Sequence, residues 1–315
     1  MAAAIFIPLA AFVLLIYGGV AYGSTVGAVG AKPAWRDPVK QPEDLGMSAT
    51  RVRYTSRNGQ TYSALTIPAK GDPHALVLLA HGSHANSSYM LARAAFLSNA
   101  GYDVLALDLR GHGESEGNFM TPGYLEGEDV VDAIAVARAS SPGAKIALLG
   151  HSYGGVAVLH AAAASADVTA VIAEAAFKTY GDMMNRGLDM AISDPASGRW
   201  LRIALRMFKR LPLGEPVSRL GFLARTGVWV TPKRANALPQ VGRISAPILF
   251  LTGETDPITP PADGEAMLQD STNPLSRHVV LAGADHATYT KGRDQYEPAV
   301  LSFLTEVLEV SPRSA

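Results

Sequence analysis

The stretch Lys145-Ile-Ala-Leu-Leu-Gly-His-Ser-Tyr-Gly154 joins a short apolar run to a segment with helical spacing at residues 153–164. It contains the pattern Gly-x-Ser-x-Gly, which is informative when, as here, a predicted strand precedes it and a predicted helix follows it. The chain must turn so sharply at Ser152 that side chains two residues before and after it would collide, and glycines at 150 and 154 avoid this clash. Ser152 is therefore predicted to lie at a helix N-terminus, where the helix dipole favours developing negative charge.

Strands and helices alternate through residues 49–315. Asn58-Gly59, between two β-rich runs, is a strong hairpin signal. The later strands are short, apolar and separated by helical segments, which predicts a mostly parallel sheet with helices on both faces. Residues 177–242 exceed the usual length of a connection, so we expect a helical cap or a small subdomain there and call this segment the insertion. Strands are predicted at 49–54, 61–67, 75–80, 102–107, 145–149, 168–173, 247–251 and 278–281, and further helices at 89–100 and 125–139.

Composition excludes several classes of protein. The chain has 315 residues, 48% of them hydrophobic, with 27 basic and 28 acidic side chains and no cysteine. The apolar content argues against disorder, and the balanced charge argues against a nucleic-acid-binding protein, which needs a basic footprint. Without cysteine the chain has no disulfide, no thiolate metal site and no cysteine nucleophile.

The N-terminus carries a long apolar segment. Residues 2–20 contain no charged side chain, and their length is close to the roughly 20 residues that span a bilayer. We expect residues 1–31 to be a membrane anchor, with a cleaved signal peptide as the alternative, because no Lys or Arg precedes the apolar run. Residues 32–48 are predicted to be a linker, and the basic residues at its start favour a cytoplasmic location for the rest of the chain. Cleavage would instead give a secreted or periplasmic protein.

A serine hydroxyl needs a base and an orienting carboxylate to act as a nucleophile. With the serine on this kind of turn, the acid and then the histidine are expected to come after it along the chain. Asp256 lies in the turn after the strand at 247–251 and is the predicted acid, with Glu254 as the runner-up. His286 follows the strand that ends at Leu281 and is the predicted base.

An oxyanion hole needs two backbone N–H groups that point at the developing charge. One is expected from Tyr153, the residue after the nucleophile. The other is expected from Ser83 in the turn His81-Gly82-Ser83-His84, because Gly82 lets the backbone approach closely. His81 and His84 have the spacing of metal ligands, but no third ligand is evident, so no metal site is predicted.

These motifs resemble the α/β-hydrolase superfamily, above all its serine-aminopeptidase and monoglyceride-lipase-like branch, with some similarity to membrane-anchored Bem46-type hydrolases. The resemblance runs from about residue 50 to the C-terminus and is weak in the insertion. It implies Ser152, Asp256 and His286 as a catalytic triad, Ser83 and Tyr153 as oxyanion donors, and no cofactor. Besides the turns named above, it rests on Asp108-Leu-Arg-Gly-His-Gly-Glu-Ser115, which forms a structural turn in that superfamily.

The insertion has an unusual charge pattern. Nine basic residues and one acidic residue lie between Arg199 and Arg234, and five of the basic residues recur at helical spacing in 199–210. A basic helix with a broad apolar face can lie on an anionic membrane. The alternative is a cap helix whose basic stripe is solvated and whose apolar face packs on the domain.

The sequence predicts an α/β-hydrolase fold over residues 49–315, with the insertion as a helical cap and a transmembrane helix in front. The expected activity is hydrolysis of a carboxylic ester with an apolar acyl group, through an acyl-enzyme on Ser152. The same residues would also suit a peptidase, an amidase, a thioesterase or an acyltransferase, and a hydrolase-like binding protein is the non-enzyme alternative. The expected partners are a small-molecule ester or lipid-like substrate and a membrane.

Overall fold

The computed structural model describes residues 41–210, 219–220, 222–224 and 226–310. The predicted anchor or signal peptide at residues 1–31, and the linker as far as residue 40, lie outside these ranges. Within the ranges, none of the helices is both long and apolar enough to cross a membrane.

The centre of the fold is an eight-stranded sheet in the spatial order β1-β2-β4-β3-β5-β6-β7-β8. β1 pairs antiparallel with β2, and β2 pairs antiparallel with β4, whereas all other neighbours are parallel. The predicted hairpin and the mostly parallel sheet are therefore confirmed. The strands are β1 Thr50–Thr55, β2 Thr61–Ile67, β3 Leu76–Ala80, β4 Asp103–Asp108, β5 Ile146–His151, β6 Val168–Glu174, β7 Ile248–Gly253 and β8 Arg277–Leu281.

Helices cover both faces of the sheet, as predicted, because the central strands are apolar on both sides. One apolar core joins α2 and α3 to the sheet, and the other joins α1 and α9 to its opposite face. The parallel strands β3, β5, β6, β7 and β8 all end at one edge, and the turns after them meet there. The helices are α1 Leu91–Asn99, α2 Tyr124–Ser140, α3 Tyr153–Ala164, α4 Tyr180–Ser193, α5 Arg199–Arg210, α6 Pro232–Ala235, α7 Leu238–Val241, α8 Pro261–Asp270 and α9 Thr288–Val310.

The helices α4 to α7 belong to the insertion, between β6 and β7. In α5 only Leu205 is buried among the side chains that the structure describes, whereas Trp200 is 78% and Leu201 53% exposed. The first turn of α5 therefore presents apolar side chains to solvent beside its basic ones. Part of the apolar face of α5 therefore packs on the protein and part does not, and contact of this helix with a membrane stays a prediction.

Candidate active site

Ser152 lies in a strained turn between β5 and α3. Its φ of 52° and ψ of −111° are an unusual conformation for a residue with a side chain. A Cβ at Gly150 would lie 2.1 Å from the carbonyl oxygen of Gly154, and one at Gly154 would lie 2.2 Å from the carbonyl oxygen of Ala80. Both contacts are to backbone atoms, so a side chain at either position would force the turn apart. The Ser152 N–H donates to the carbonyl of Glu174, 2.7 Å away, which ties the turn to β6.

The structure brings Ser152, His286 and Asp256 into a hydrogen-bonded chain. The Ser152 Oγ lies 3.0 Å from His286 Nε2, and His286 Nδ1 lies 2.8 Å from Asp256 Oδ2. A proton on Nδ1 is fixed by the carboxylate, so Nε2 is free to accept the serine proton. The geometry required of a nucleophile, a base and an orienting acid is thus present without rearrangement.

Asp256 is held as a carboxylate by its own loop. Its oxygens accept hydrogen bonds from the N–H groups of Ile258 and Thr259 and from the Thr259 hydroxyl. Burial opposes the charge on Asp256, but the hydrogen bond and the charge interaction with His286, followed by the bonds from Thr259, outweigh it and lower the pKa to about 2. Asp256 therefore stays ionised over the whole neutral range.

The other two acids near these turns have different contacts. Glu254 is exposed, and its Oε2 accepts a hydrogen bond from the Gly283 N–H at 2.9 Å, so it joins the two loops outside the site. Asp285 pairs with Lys291 at 2.6 Å and accepts a bond from the Ala287 N–H. Neither carboxylate has a hydrogen bond to His286 among the described contacts.

The two predicted oxyanion donors lie at the end of β3 and the start of α3. Neither the Ser83 N–H nor the Tyr153 N–H has a hydrogen-bond partner among the described residues, which leaves both available to a ligand. Ser83 is exposed, and its turn is closed by the bond from the Ala85 N–H to the Gly82 carbonyl at 3.3 Å. Tyr153 is the first residue of α3, and Ser83 lies in the turn after β3, so the predicted donors come from two different elements, as a two-donor oxyanion hole requires.

Two buried histidines, His81 and His112, support the Ser83 turn. His112 Nε2 accepts the His84 N–H at 3.2 Å, while its Nδ1 donates to the Arg110 carbonyl at 2.7 Å. His81 Nε2 accepts the Leu109 N–H at 3.1 Å. In both rings one nitrogen must accept, so both are neutral, and burial lowers their pKa values, that of His81 to about 3. The Asp108–Ser115 motif thus holds the backbone beside Ser83.

A buried charged network lies under the histidine loop and was missed from the sequence. Glu174 is fully buried and accepts two hydrogen bonds from the Arg93 guanidinium, one from Tyr296 and one from Thr288. The sequence did contain one indication of this network, because Glu174 is an acidic residue at the end of an otherwise apolar strand. Its partners lie 81 to 122 residues away along the chain, and no local pattern points to them.

His151 connects this network to His286. Its Nε2 donates to the His286 carbonyl at 3.1 Å and lies 3.9 Å from Glu174 Oε1, and its ring centre is 5.3 Å from that of His286. Burial, against the pull of the Glu174 charge, lowers the pKa of His151 to about 4. This neutral ring packs against the ring of His286.

Comparison with known proteins agrees with this fold. A family model described as serine aminopeptidase matches residues 71–221, and one described as TAP-like protein matches residues 225–308. The uncharacterised protein YqkD of Bacillus subtilis is 24% identical over 72% of this chain and 70% of its own length. Human monoglyceride lipase is 36% identical over 95 residues, which are 29% of this chain and 31% of the lipase.

Solved structures with the same fold include several esterases. An esterase of Pyrococcus furiosus superposes with a TM-score of 0.69 at 21% identity, over 85% of this chain and 95% of the esterase. A thermophilic esterase of Thermogutta terrifontis gives a TM-score of 0.55 at 22% identity, over 82% of this chain and 99% of its own. With the family models and the sheet order, these matches identify the chain as a member of the α/β-hydrolase superfamily.

Proposed function

We propose that this protein is a serine hydrolase that cleaves a carboxylic ester with an apolar acyl group. The observation that carries the proposal is the chain of hydrogen bonds from Ser152 Oγ to His286 at 3.0 Å and from His286 to Asp256 at 2.8 Å. This constellation on a strained strand-to-helix turn suits nucleophilic attack on a carbonyl carbon.

The reaction divides into two steps with the same residues. Ser152 Oγ attacks the carbonyl carbon as His286 Nε2 takes its proton, while Asp256 orients the ring and stabilises its positive charge. The N–H groups of Ser83 and Tyr153 bind the oxyanion of the tetrahedral intermediate. His286 then gives its proton to the leaving alcohol, which leaves an acyl-enzyme, and water activated by the same histidine releases the acid.

An aromatic series next to the nucleophile supports an apolar acyl group. The rings of Tyr153 and Phe177 lie 6.1 Å apart, and those of Phe177 and Tyr180 lie 6.5 Å apart. The series runs from the residue after Ser152 to the first residue of α4. Tyr153 and Phe177 are buried and Tyr180 is half-buried, so an acyl chain directed towards the insertion would meet Tyr180, with the other two rings packed behind it. Removing such a chain from water contributes roughly 0.8 kcal/mol per buried CH₂.

Aminopeptidase activity is the second candidate, because the matching family model carries that description. The dipeptidyl aminopeptidase BIII of Pseudoxanthomonas mexicana is 27% identical over 69% of this chain but only 32% of its own length. The same triad would serve a peptide bond, with His286 protonating the leaving amine. Thioester cleavage and acyl transfer differ only in the group that leaves or accepts the acyl unit.

A substrate panel separates these activities. The full chain in detergent would be assayed with p-nitrophenyl esters from acetyl to palmitoyl and with aminoacyl and dipeptidyl p-nitroanilides. We expect ester turnover with an optimum at a medium or long acyl chain, lost in Ser152→Ala and kept in Ser302→Ala, which alters an exposed serine of α9. A fluorophosphonate probe should label the wild type on Ser152. Equal turnover in wild type and Ser152→Ala would contradict the proposal, and turnover of the anilides alone would favour the peptidase.

Membrane attachment is proposed from sequence alone, through the apolar residues 2–20. The exposed Trp200 and Leu201, beside the exposed basic residues of α5, support a second contact with an anionic lipid surface. Each basic residue near such a surface contributes on the order of 1 kcal/mol. The positive charge that flanks the apolar segment favours a cytoplasmic location for the hydrolase domain.

A further inference from the structure

We infer that Arg186, in helix α4 of the insertion, is a positioning residue for the acid of the triad, so that the seating of the insertion and the activity of the site are coupled. This inference rests on the proposed function, in which Asp256 orients His286. It concerns a residue that contacts neither Ser152 nor His286 among the described contacts. The loop it acts on is residues 256–260, which we call the acid loop.

Arg186 joins α4 to two places near the acid loop. Its guanidinium donates to both carboxylate oxygens of Asp263, at 2.7 and 2.8 Å, in the two-pronged geometry that makes arginine pairs specific. Asp263 is fully buried in the first turn of α8, directly after the acid loop. The same Nη1 of Arg186 also donates to the Ile258 carbonyl at 2.9 Å.

The contact with Ile258 reaches Asp256 through one peptide group. The carbonyl of Ile258 and the N–H of Thr259 belong to the same amide, and that N–H donates to Asp256 Oδ1 at 2.9 Å. A cation on the oxygen of an amide makes its N–H a stronger donor, because hydrogen bonds in a chain polarise one another. Arg186 therefore strengthens and orients a bond that holds the triad carboxylate.

The two bonds to Asp263 alone would only tether the insertion to α8. The bond from Arg186 Nη1 to the Ile258 carbonyl also contacts the acid loop. Lys178 is the other cation near Asp263, and its Nζ lies 3.9 Å from that carboxylate and makes no described contact with the acid loop. Of these two cations, Arg186 is thus the one with described contacts both to Asp263 and to the acid loop. If α4 were displaced from the domain, the guanidinium would leave the Ile258 carbonyl, and Asp256 would lose part of its support. The site of Ser152, His286 and Asp256 would therefore be fully assembled only when α4 packs on the domain.

Three variants separate positioning from tethering. Arg186→Met removes the charge and both contacts, and leaves Asp263 buried without its main partner. Arg186→Met/Asp263→Asn removes that buried charge as well, so folding should recover while the Ile258 carbonyl still lacks its donor. Arg186→Lys keeps the charge and one donor. Asp189→Asn is the matched control, because it lies in α4 like Arg186, breaks the ion pair with Lys209 of α5 and leaves the acid loop untouched.

The kinetic result expected is a loss in kcat at constant KM. Arg186→Met and the double variant should both lose about tenfold or more in kcat with the preferred ester, as a small misplacement of a catalytic group does, with KM within about twofold. Arg186→Lys should recover part of the loss, and Asp189→Asn should match the wild type. Equal kcat in the double variant and the wild type, or recovery of kcat together with melting temperature, would show that Arg186 is only a tether.

A second readout does not depend on turnover. The low-field proton resonance of the His286–Asp256 hydrogen bond reports the geometry of that bond directly. We expect it to shift or broaden in both Arg186→Met variants and to be unchanged in Asp189→Asn. An unchanged resonance in the folded double variant would refute the coupling, even if the protein proved inactive on every ester. If the wild type hydrolysed no ester but the resonance shifted in the Arg186→Met variants, the proposed function would be overturned and the coupling would still be supported.

Discussion

Glu174→Gln tests the buried network beneath the active site. The substitution keeps the shape of the side chain and removes its charge, so Arg93, whose side chain is only 3% exposed, loses its counter-ion. Breaking a buried ion pair from one side costs about 3–5 kcal/mol, because the remaining charge stays desolvated. The guanidinium lies over the rings of Tyr89, Tyr289 and Tyr296, at 5.4, 4.8 and 5.7 Å, and these contacts offset part of the cost. We expect a loss of about 3 kcal/mol in the free energy of unfolding.

The pH dependence of stability gives an independent check of the same charge. Burial opposes ionisation of Glu174, but Arg93 outweighs it and lowers the pKa of Glu174 to about 2. A carboxylate whose folded pKa is lowered contributes stability above its unfolded pKa, and loses it as the pH falls through the folded value. As the pH falls from about 4.5 to about 2, the free energy of unfolding of the wild type should therefore fall by about 3 kcal/mol more than that of Glu174→Gln.

The assay is urea unfolding of the full chain, followed by circular dichroism in one detergent at pH 7 and pH 3. The control is Glu306→Gln, which breaks the half-exposed pair with Arg277 and should cost about 1 kcal/mol or less. Arg93→Met/Glu174→Gln removes both charges and should recover at least half of the loss. A cost below about 1 kcal/mol for Glu174→Gln at pH 7, equal to that of the control, would refute the reasoning.

Three further predictions each depend on a single structural feature. Gly154→Ala would place a Cβ 2.2 Å from the Ala80 carbonyl oxygen, so it should abolish ester turnover and lower the yield of folded protein, as measured by assay and gel filtration; normal activity would contradict the strained turn. His112→Asn removes the acceptor of the His84 N–H, so kcat should fall about tenfold with KM unchanged in steady-state kinetics, and a pure rise in KM would contradict a role in holding the oxyanion turn. The full chain should stay in the membrane pellet after alkaline carbonate extraction if residues 2–20 span a bilayer, and release into the supernatant would remove that prediction.

Much of the fold could be predicted because its signals are local. The predicted strands at 61–67 and 168–173 and the helix at 153–164 correspond to β2, β6 and α3 with bounds that differ by at most one residue. Periodicity, hairpin residues and glycine spacing act within a few residues of the chain, so a single sequence displays them. Ser152, Asp256 and His286 could be named for the same reason, since each comes shortly after a predicted strand.

The supporting contacts could not be predicted in this way. Arg93 and Glu174 are 81 residues apart, and Arg186 and Asp263 are 77 residues apart. The sequence around each of these side chains does not indicate its partner. Their contacts depend on the order of the strands and on how the insertion packs on the domain.

The sequence by itself determined the class of fold, the sharp turn at Ser152 and the strand ends that Asp256 and His286 follow, because backbone geometry and apolar periodicity depend on neighbouring residues. Only the tertiary structure decided that Glu174, His151 and His112 support the loops of the site, and that Arg186 reaches the acid loop. The physical reason is that a charge or a hydrogen-bonding group is recognised by its partner in space. Burial then decides how strongly the two interact, and neither the partner nor the burial can be read from one segment of the chain.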